Sequence, residues 1–230
     1  DTTASDPLHI HLKDIELKNI DIKKKDESNG LVVQGNIHWA KGGFQSTPQH
    51  TAAHIDTEFE LNIIKNGDTT YVKQKQFAFH TDLDFDEATG ILEVAPSKIE
   101  MEHSDFELSG SVNTRNNMDL DLEIIGSKSN FDLFLAFAPN ELAPILKRYD
   151  NEGRIYFNAK LQGPAGFGYR PFFDVTFGAD EAFLENTDYG RRIEDMSFEG
   201  HFTNGAKRDP TTMEFSMVNI TAKPGQGDFV

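Results

Sequence analysis

Apolar and polar side chains alternate with a period of two along most of this chain. The pattern is clear in Phe59-Glu60-Leu61-Asn62-Ile63, Phe77-Ala78-Phe79-His80-Thr81-Asp82-Leu83-Asp84-Phe85 and Met118-Asp119-Leu120-Asp121-Leu122-Glu123-Ile124. It returns in Ile155-Tyr156-Phe157-Asn158-Ala159-Lys160-Leu161, Phe173-Asp174-Val175-Thr176-Phe177 and Met213-Glu214-Phe215-Ser216-Met217. Successive side chains of a strand point to opposite faces, so each segment predicts a strand with one apolar and one polar face. What covers the apolar faces then decides what the protein does.

The punctuation predicts antiparallel hairpins. Asn66-Gly67-Asp68, Asp86-Glu87-Ala88-Thr89-Gly90, a turn near Ser104-Asp105 and Asn116-Asn117 separate alternating runs, as short Asn/Asp/Gly loops do in a meander. Ile10 to Ile22 reads as one long strand whose apolar parity changes near Asn19-Ile20, the mark of a β-bulge. Residues 1–7 read as a tail, and the polar stretch Lys41 to His54, with Gly42-Gly43 and Pro48, as a loop. The exception to the strand pattern is Asn130 to Tyr149. Phe131, Phe134, Leu135 and Ala138 fall at helical spacing behind a cap at Asn130, and Leu142, Ile145, Leu146 and Tyr149 form a second set. These predict two short helical turns divided by Pro139, although Phe131 to Phe137 also fits a buried strand. No boundary between independent domains stands out, so residues 1–230 read as a single β-rich domain.

Composition sharpens this picture. Nineteen Phe against one Trp and five Tyr give aromatic surface with almost no hydrogen-bonding handle, suited to dry packing or acyl chains. A net charge of −16 opposes nucleic acid and anionic headgroups, both of which need a surplus of Lys and Arg. The absence of cysteine removes disulfides, thiol nucleophiles and thiolate metal sites. No apolar run approaches the roughly 18 residues that cross a bilayer. The chain opens without Met and stops at Phe229-Val230 just after a strand-like segment, which predicts a piece of a longer protein.

Catalytic chemistry finds little support. Asp82, Asp84, Asp86 and Glu93 imitate a calcium-loop spacing, but Glu87 stands where the sharp turn requires Gly. His9 and His11 share a strand face without a third ligand in view. There is no Gly-x-Ser-x-Gly elbow, phosphate loop or dinucleotide fingerprint. The Gly163 to Pro171 stretch, with Phe167, Tyr169 and Arg170, reads either as a binding loop or as a long hairpin connection. No cofactor or metal is expected, and the chain is read as a non-enzyme.

The run Leu108-Ser109-Gly110-Ser111-Val112, Leu120 to Gly126, Phe131 to Phe137, then Gly153-Arg154-Ile155-Tyr156-Phe157-Asn158-Ala159-Lys160-Leu161-Gln162-Gly163 is similar to the AsmA-like C-terminal region. Leu12 to Ile22 resembles that family's recurrent opening strand. The resemblance covers most of the chain with degenerate motifs made of common strand residues. It implies a periplasmic envelope protein, anchored to the inner membrane by a helix outside this sequence and belonging with TamB-like and chorein-type bridge proteins. It also implies a part in outer-membrane assembly or phospholipid movement between membranes.

Taken together, the expected fold is all-β: an elongated, curved antiparallel sheet forming an open groove, with one short helical insert. Phe77, Phe79, Leu83, Phe106, Leu108, Leu120, Leu122, Phe157, Leu161, Val175 and Phe177 share parity within their strands and are the expected groove lining. Phe131, Phe134, Leu135 and Leu142 are expected to turn inward from a helix at the groove end. The expected partner is a phospholipid or another acyl-chain lipid, with other envelope proteins as a further class and no nucleic acid. Membrane contact is expected through segments outside this sequence. The alternative is a closed β-sandwich, a structural or adhesive envelope module with no lipid ligand.

Overall fold

The computed structural model describes residues 10–27, 30–65, 69–102, 104–137, 143–166 and 168–225. It is all-β, with eleven antiparallel strands in one open sheet that follows chain order from β1 to β11. The strands are β1 (Ile10–Asp26), β2 (Leu31–Ser46), β3 (His50–Lys65), β4 (Thr69–Asp86), β5 (Ile91–Met101) and β6 (Ser104–Asn113). They continue with β7 (Asp119–Lys128), β8 (Tyr149–Pro164), β9 (Phe172–Asn186), β10 (Arg191–Thr203) and β11 (Glu214–Pro224). Two single-turn helices, α1 (Asp132–Leu135) and α2 (Ala143–Leu146), stand between β7 and β8. A sandwich requires two sheets, whereas all eleven strands here belong to one.

Where the sequence shows no boundary, the chain divides into two compact units. Unit 1 comprises Asp1–Ile99, Leu108–Leu122 and Gly163–Arg170; unit 2 comprises Glu100–Glu107, Glu123–Gln162 and Pro171–Val230.

In unit 1 the expected loop at Lys41 to His54 is instead most of a hairpin. β2 runs to Ser46, β3 starts at His50, and the turn is held by Thr47 and His50, whose backbone N–H donates to Thr47 Oγ1 at 3.0 Å. The glycines that suggested a loop serve close approach: a Cβ at Gly42 would run into the His54 carbonyl, and one at Gly43 into the His54 ring. The Asp86 to Gly90 turn is closed by Asp86, whose carboxylate accepts the N–H groups of Ala88 and Thr89 at 2.7 and 3.1 Å. That carboxylate is thus occupied as a turn cap, and its pKa is held below the ordinary Asp range by those two backbone donors. The loop after β8 packs on the Asn116-Asn117 turn, with Gly166 donating to the Asn117 carbonyl at 2.7 Å, which makes it a hairpin connection. Phe167 and the Asn66-Gly67-Asp68 turn lie outside the described residues, as do His9 and residues 1–7.

The parity change expected near Asn19 is present. Leu17 pairs with Ala40 and Ile20 with Ile37, so three residues separate positions on the same face in both strands, and Asn19 takes a φ of 54°. Further irregularities fall at Asp14 in β1, Gln74 in β4, Glu181 in β9 and Asp195 in β10, each with positive φ. All are polar side chains, placed where an extra residue turns outward and the apolar set returns to its own face.

Unit 2 contains the best-packed core. Ile155, Ala179 and Ala182 are fully buried, as is Leu133 from α1. Phe157, Phe177 and Gly200 stand opposite one another across β8, β9 and β10, and the Phe177 ring occupies the space a Cβ at Gly200 would need. A glycine under an aromatic ring lets the ring lie flat on the neighbouring strand and keeps the backbone shielded.

Candidate functional site

The two faces of the sheet differ sharply in unit 1. Across β1 to β4, Leu12, Phe44, Ala53 and Leu83 form one row; Leu17, Ala40, Thr57 and Phe79 a second; Ile20, Ile37, Phe59 and Phe77 a third. The Phe59 and Phe77 rings stack at 5.1 Å, as non-polar cross-strand neighbours do. The opposite face carries Glu16, Lys41, Asp56 and His80 in one row and Asp21, Asn36, Glu60 and Gln76 in another. Asn36 donates to Asp21 at 2.6 Å and Gln76 to Glu60 at 3.1 Å, so this face is a ladder of cross-strand hydrogen bonds.

The apolar rows are incompletely covered. Every described regular element of unit 1 is a strand of the one sheet, so unit 1 supplies no second layer. Leu17 is 46% and Ile22 54% exposed, while Phe59, Phe77, Phe79 and Leu83 are half-buried. Contiguous exposed apolar surface is where proteins, membranes or apolar ligands bind, or where chains aggregate. At the end near Leu12, Phe44, Ala53 and Leu83 a concavity of about 770 Å³ opens, bounded also by Val94 and Pro96 and by the polar residues His11, His54, Asp82, Asp84 and Glu93. The face is not wholly apolar. Thr81 and Ser97 are buried and satisfy each other through a 2.7 Å hydroxyl contact, and Lys75, opposite Leu61, is buried as well.

The eleven expected lining residues fall into two sets. Phe77, Phe79 and Leu83 share the apolar face of β4, and Leu108, Leu120 and Leu122 are half-buried elsewhere in unit 1. In unit 2, Phe157, Leu161, Val175 and Phe177 share one face, because Phe157 pairs with Phe177, Ala159 with Val175 and Leu161 with Phe173. Phe106 is buried against Phe157 and Phe137, at 5.8 and 5.5 Å between ring centroids, and serves as core. The helical insert lies on this second face. Phe134 meets Phe177 edge-on at 5.8 Å and Phe198 at 6.3 Å, both mid-strand positions, and Phe137 stacks on Phe157 at 4.8 Å. Phe131 and Leu135 are half-buried, while Leu142 lies outside the described residues.

Sequence spacing missed the residue that fixes the insert, Leu133, which is fully buried with Ala136 beside it at i+3. Asn130 contributes as a turn, its side chain accepting the Asp132 N–H at 3.2 Å, and Asn151 accepts the Phe131 N–H at 2.6 Å. Among the described residues, no group of His, Asp and Glu is arranged to hold a metal ion, and no helix is long and apolar enough to cross a membrane.

One titration on the polar face is predictable. The hydrogen bond from His80 to Asp56, then the charge of that carboxylate and of Asp82, raises the His80 pKa above the ordinary value of about 6.5. With the folded-state pKa above the unfolded one, the pair's stabilisation is fully present below about pH 6.5 and is lost as pH rises through the raised value. NMR titration should find His80 above about 6.5, returning toward it in Asp56→Asn. A midpoint unmoved by that substitution would remove Asp56 as the cause.

No protein-family model, curated protein or solved structure matches this chain.

Proposed function

We propose that this chain is a non-catalytic, AsmA-like segment of a periplasmic envelope protein that takes phospholipid acyl chains on the apolar face of its sheet. The observation that carries the reading is the half-exposed apolar face of β1 to β4, with no second layer from its own unit upon it. Each methylene moved from water onto such a surface is worth roughly 0.8 kcal/mol when fully buried, so a partly covered acyl chain is held without any polar contact. The Phe-rich, Tyr-poor composition suits the same ligand, because these rings bring no hydrogen bond that a sugar or peptide could use. Guiding a lipid along such a face requires no catalytic group. The resemblance in Leu108 to Gly163 adds the setting, transport between envelope membranes or outer-membrane assembly, with the inner-membrane anchor outside this sequence.

Native mass spectrometry of the purified chain tests this directly. The expected spectrum contains adducts of phospholipid mass that survive gentle desolvation and vanish after delipidation. A well-folded protein that carries no lipid from membrane extracts, and acquires none from detergent-solubilised phospholipid, would favour the structural-module alternative.

A further inference from the structure

Segments 22–35 and 61–75 contain six lysines against Asp26, Glu27 and Asp68, a net charge of +3 in a chain whose total is −16. Antiparallel pairing brings these segments to one end of the β1 to β4 sheet. Lys24, Val33, Ile63 and Val72 form one row there, and Lys25, Val32 and Ile64 lie in the next, on the opposite face. At this end the division between the faces fails. The polar face, which carries Asn36, Glu60 and Gln76 further along, ends in Val32 and Ile64, so the sheet is apolar on both sides. Ile22 is 54% exposed; Lys23, Lys24, Lys25 and Lys73 are exposed too.

Among the described residues of unit 1, no regular element outside the sheet covers this end. Lysine stems can lie along apolar surface with the ammonium groups in the headgroup layer, while Val32, Val33 and Ile64 reach the acyl boundary. The net negative charge of the chain does not prevent this. The acidic cluster of Asp82, Asp84 and Glu93 belongs to the other end of the strands, roughly 35 Å away at about 3.3 Å per residue. Charges more than about 10 Å apart are largely screened at 0.1 M salt, so the exposed Lys23, Lys24, Lys25 and Lys73, with Asp21 and Glu60 one row further in, govern what this end meets. RNA would satisfy the lysines but leave the aliphatic pair on the polar face without use.

We propose that this end of unit 1, built from Ile22 to Lys25, Val32, Val33, Ile63, Ile64 and Lys73, docks on the surface of an anionic phospholipid bilayer. Ile22, Val33 and Ile63 belong to the face that takes acyl chains, whereas Lys23, Lys25, Val32 and Ile64 lie on the opposite one, so variants at the latter positions separate docking from acyl binding.

The test is flotation of the full chain with vesicles of mixed phosphatidylglycerol and phosphatidylcholine, against phosphatidylcholine alone. The chain should float only with the anionic vesicles, and binding should fall at least about tenfold in 0.5 M salt, where screening shortens the reach of the lysines. The variant Lys23→Gln/Lys24→Gln/Lys25→Gln, on an exposed edge strand, should lose binding to a similar degree while keeping its melting curve. The charge-matched control Lys13→Gln/Lys18→Gln/Lys41→Gln should keep it. Ile64→Ser should weaken flotation at low and high salt alike, provided its melting curve is also retained. No flotation at low salt overturns the proposal, and so does equal loss in the control, which would mean diffuse charge. Tight, salt-sensitive retention on RNA with Ile64→Ser unaffected would also overturn it, in favour of a polyanion site. If the triple variant stops floating but still carries phospholipid in native mass spectra, docking and acyl binding are separate, as expected.

Discussion

Replacing Leu133 by Ala should destabilise unit 2 by about 3 kcal/mol, and Phe134→Asp by at least as much. Leu133 is fully buried on a helix of a single turn, which cannot hold itself and depends on its packing for its place. Truncating a buried leucine costs about 2–5 kcal/mol, depending on how far the site collapses. Here the neighbours resist collapse, since the space beside Leu133 is already taken by Phe106 where Gly126 lacks a Cβ. Phe134→Asp removes edge-on contacts with Phe177 and puts a carboxylate against an apolar face, which costs several kcal/mol without a partner. Thermal melts should fall by roughly 6–12 °C for Leu133→Ala, at about 2–4 °C per kcal/mol for a chain of this size. An unchanged melt for both variants would mean that the insert does not cover this face.

The second large effect is on lipid. Measured well below its own melting temperature, Phe79→Asp should abolish most of the phospholipid adduct, because Phe79 is half-buried in a row whose other members are Leu17, Ala40 and Thr57. A carboxylate there keeps partial access to water in the free protein, yet must be fully desolvated when an acyl chain lies across it. The asymmetry between free and bound states makes the substitution selective. Asp82→Phe on the opposite, polar face is the counterpart and should not reduce the adduct. Retained adducts in Phe79→Asp, with loss in Asp82→Phe, would place the lipid on the other face.

Much of this architecture is legible in the sequence because its signals are local. Alternation from Phe77 to Phe85 assigns Phe77, Phe79 and Leu83 to one face without knowledge of any neighbour, and the Asp86 to Gly90 turn is written in five consecutive residues. What escapes is set by partners distant in sequence. Leu133 is no better spaced than Phe131 or Phe134, and only the sheet beneath α1 selects it. Gly42-Gly43 reads as a loop until β3 is laid beside it and the His54 backbone fills the space. The lysine-flanked end is hidden for the same reason, since Lys24 and Val72 are 48 positions apart and become neighbours in one row only through two intervening strands.

The left-handed residues Asp14, Gln74, Glu181 and Asp195 also determine how such a chain can change over time. Each absorbs one position of the two-residue count. Deleting such an extra residue would leave a regular strand with its faces kept, whereas deleting one residue from a regular stretch would exchange inside for outside along the rest of the strand. Change in this sheet is therefore tolerated in even steps, or in odd steps that a bulge absorbs, on one strand as at Asp14 or on two adjacent strands as at Asn19 and His38. Two descendants with these frame shifts at different places would keep the same apolar face with no ungapped alignment between them.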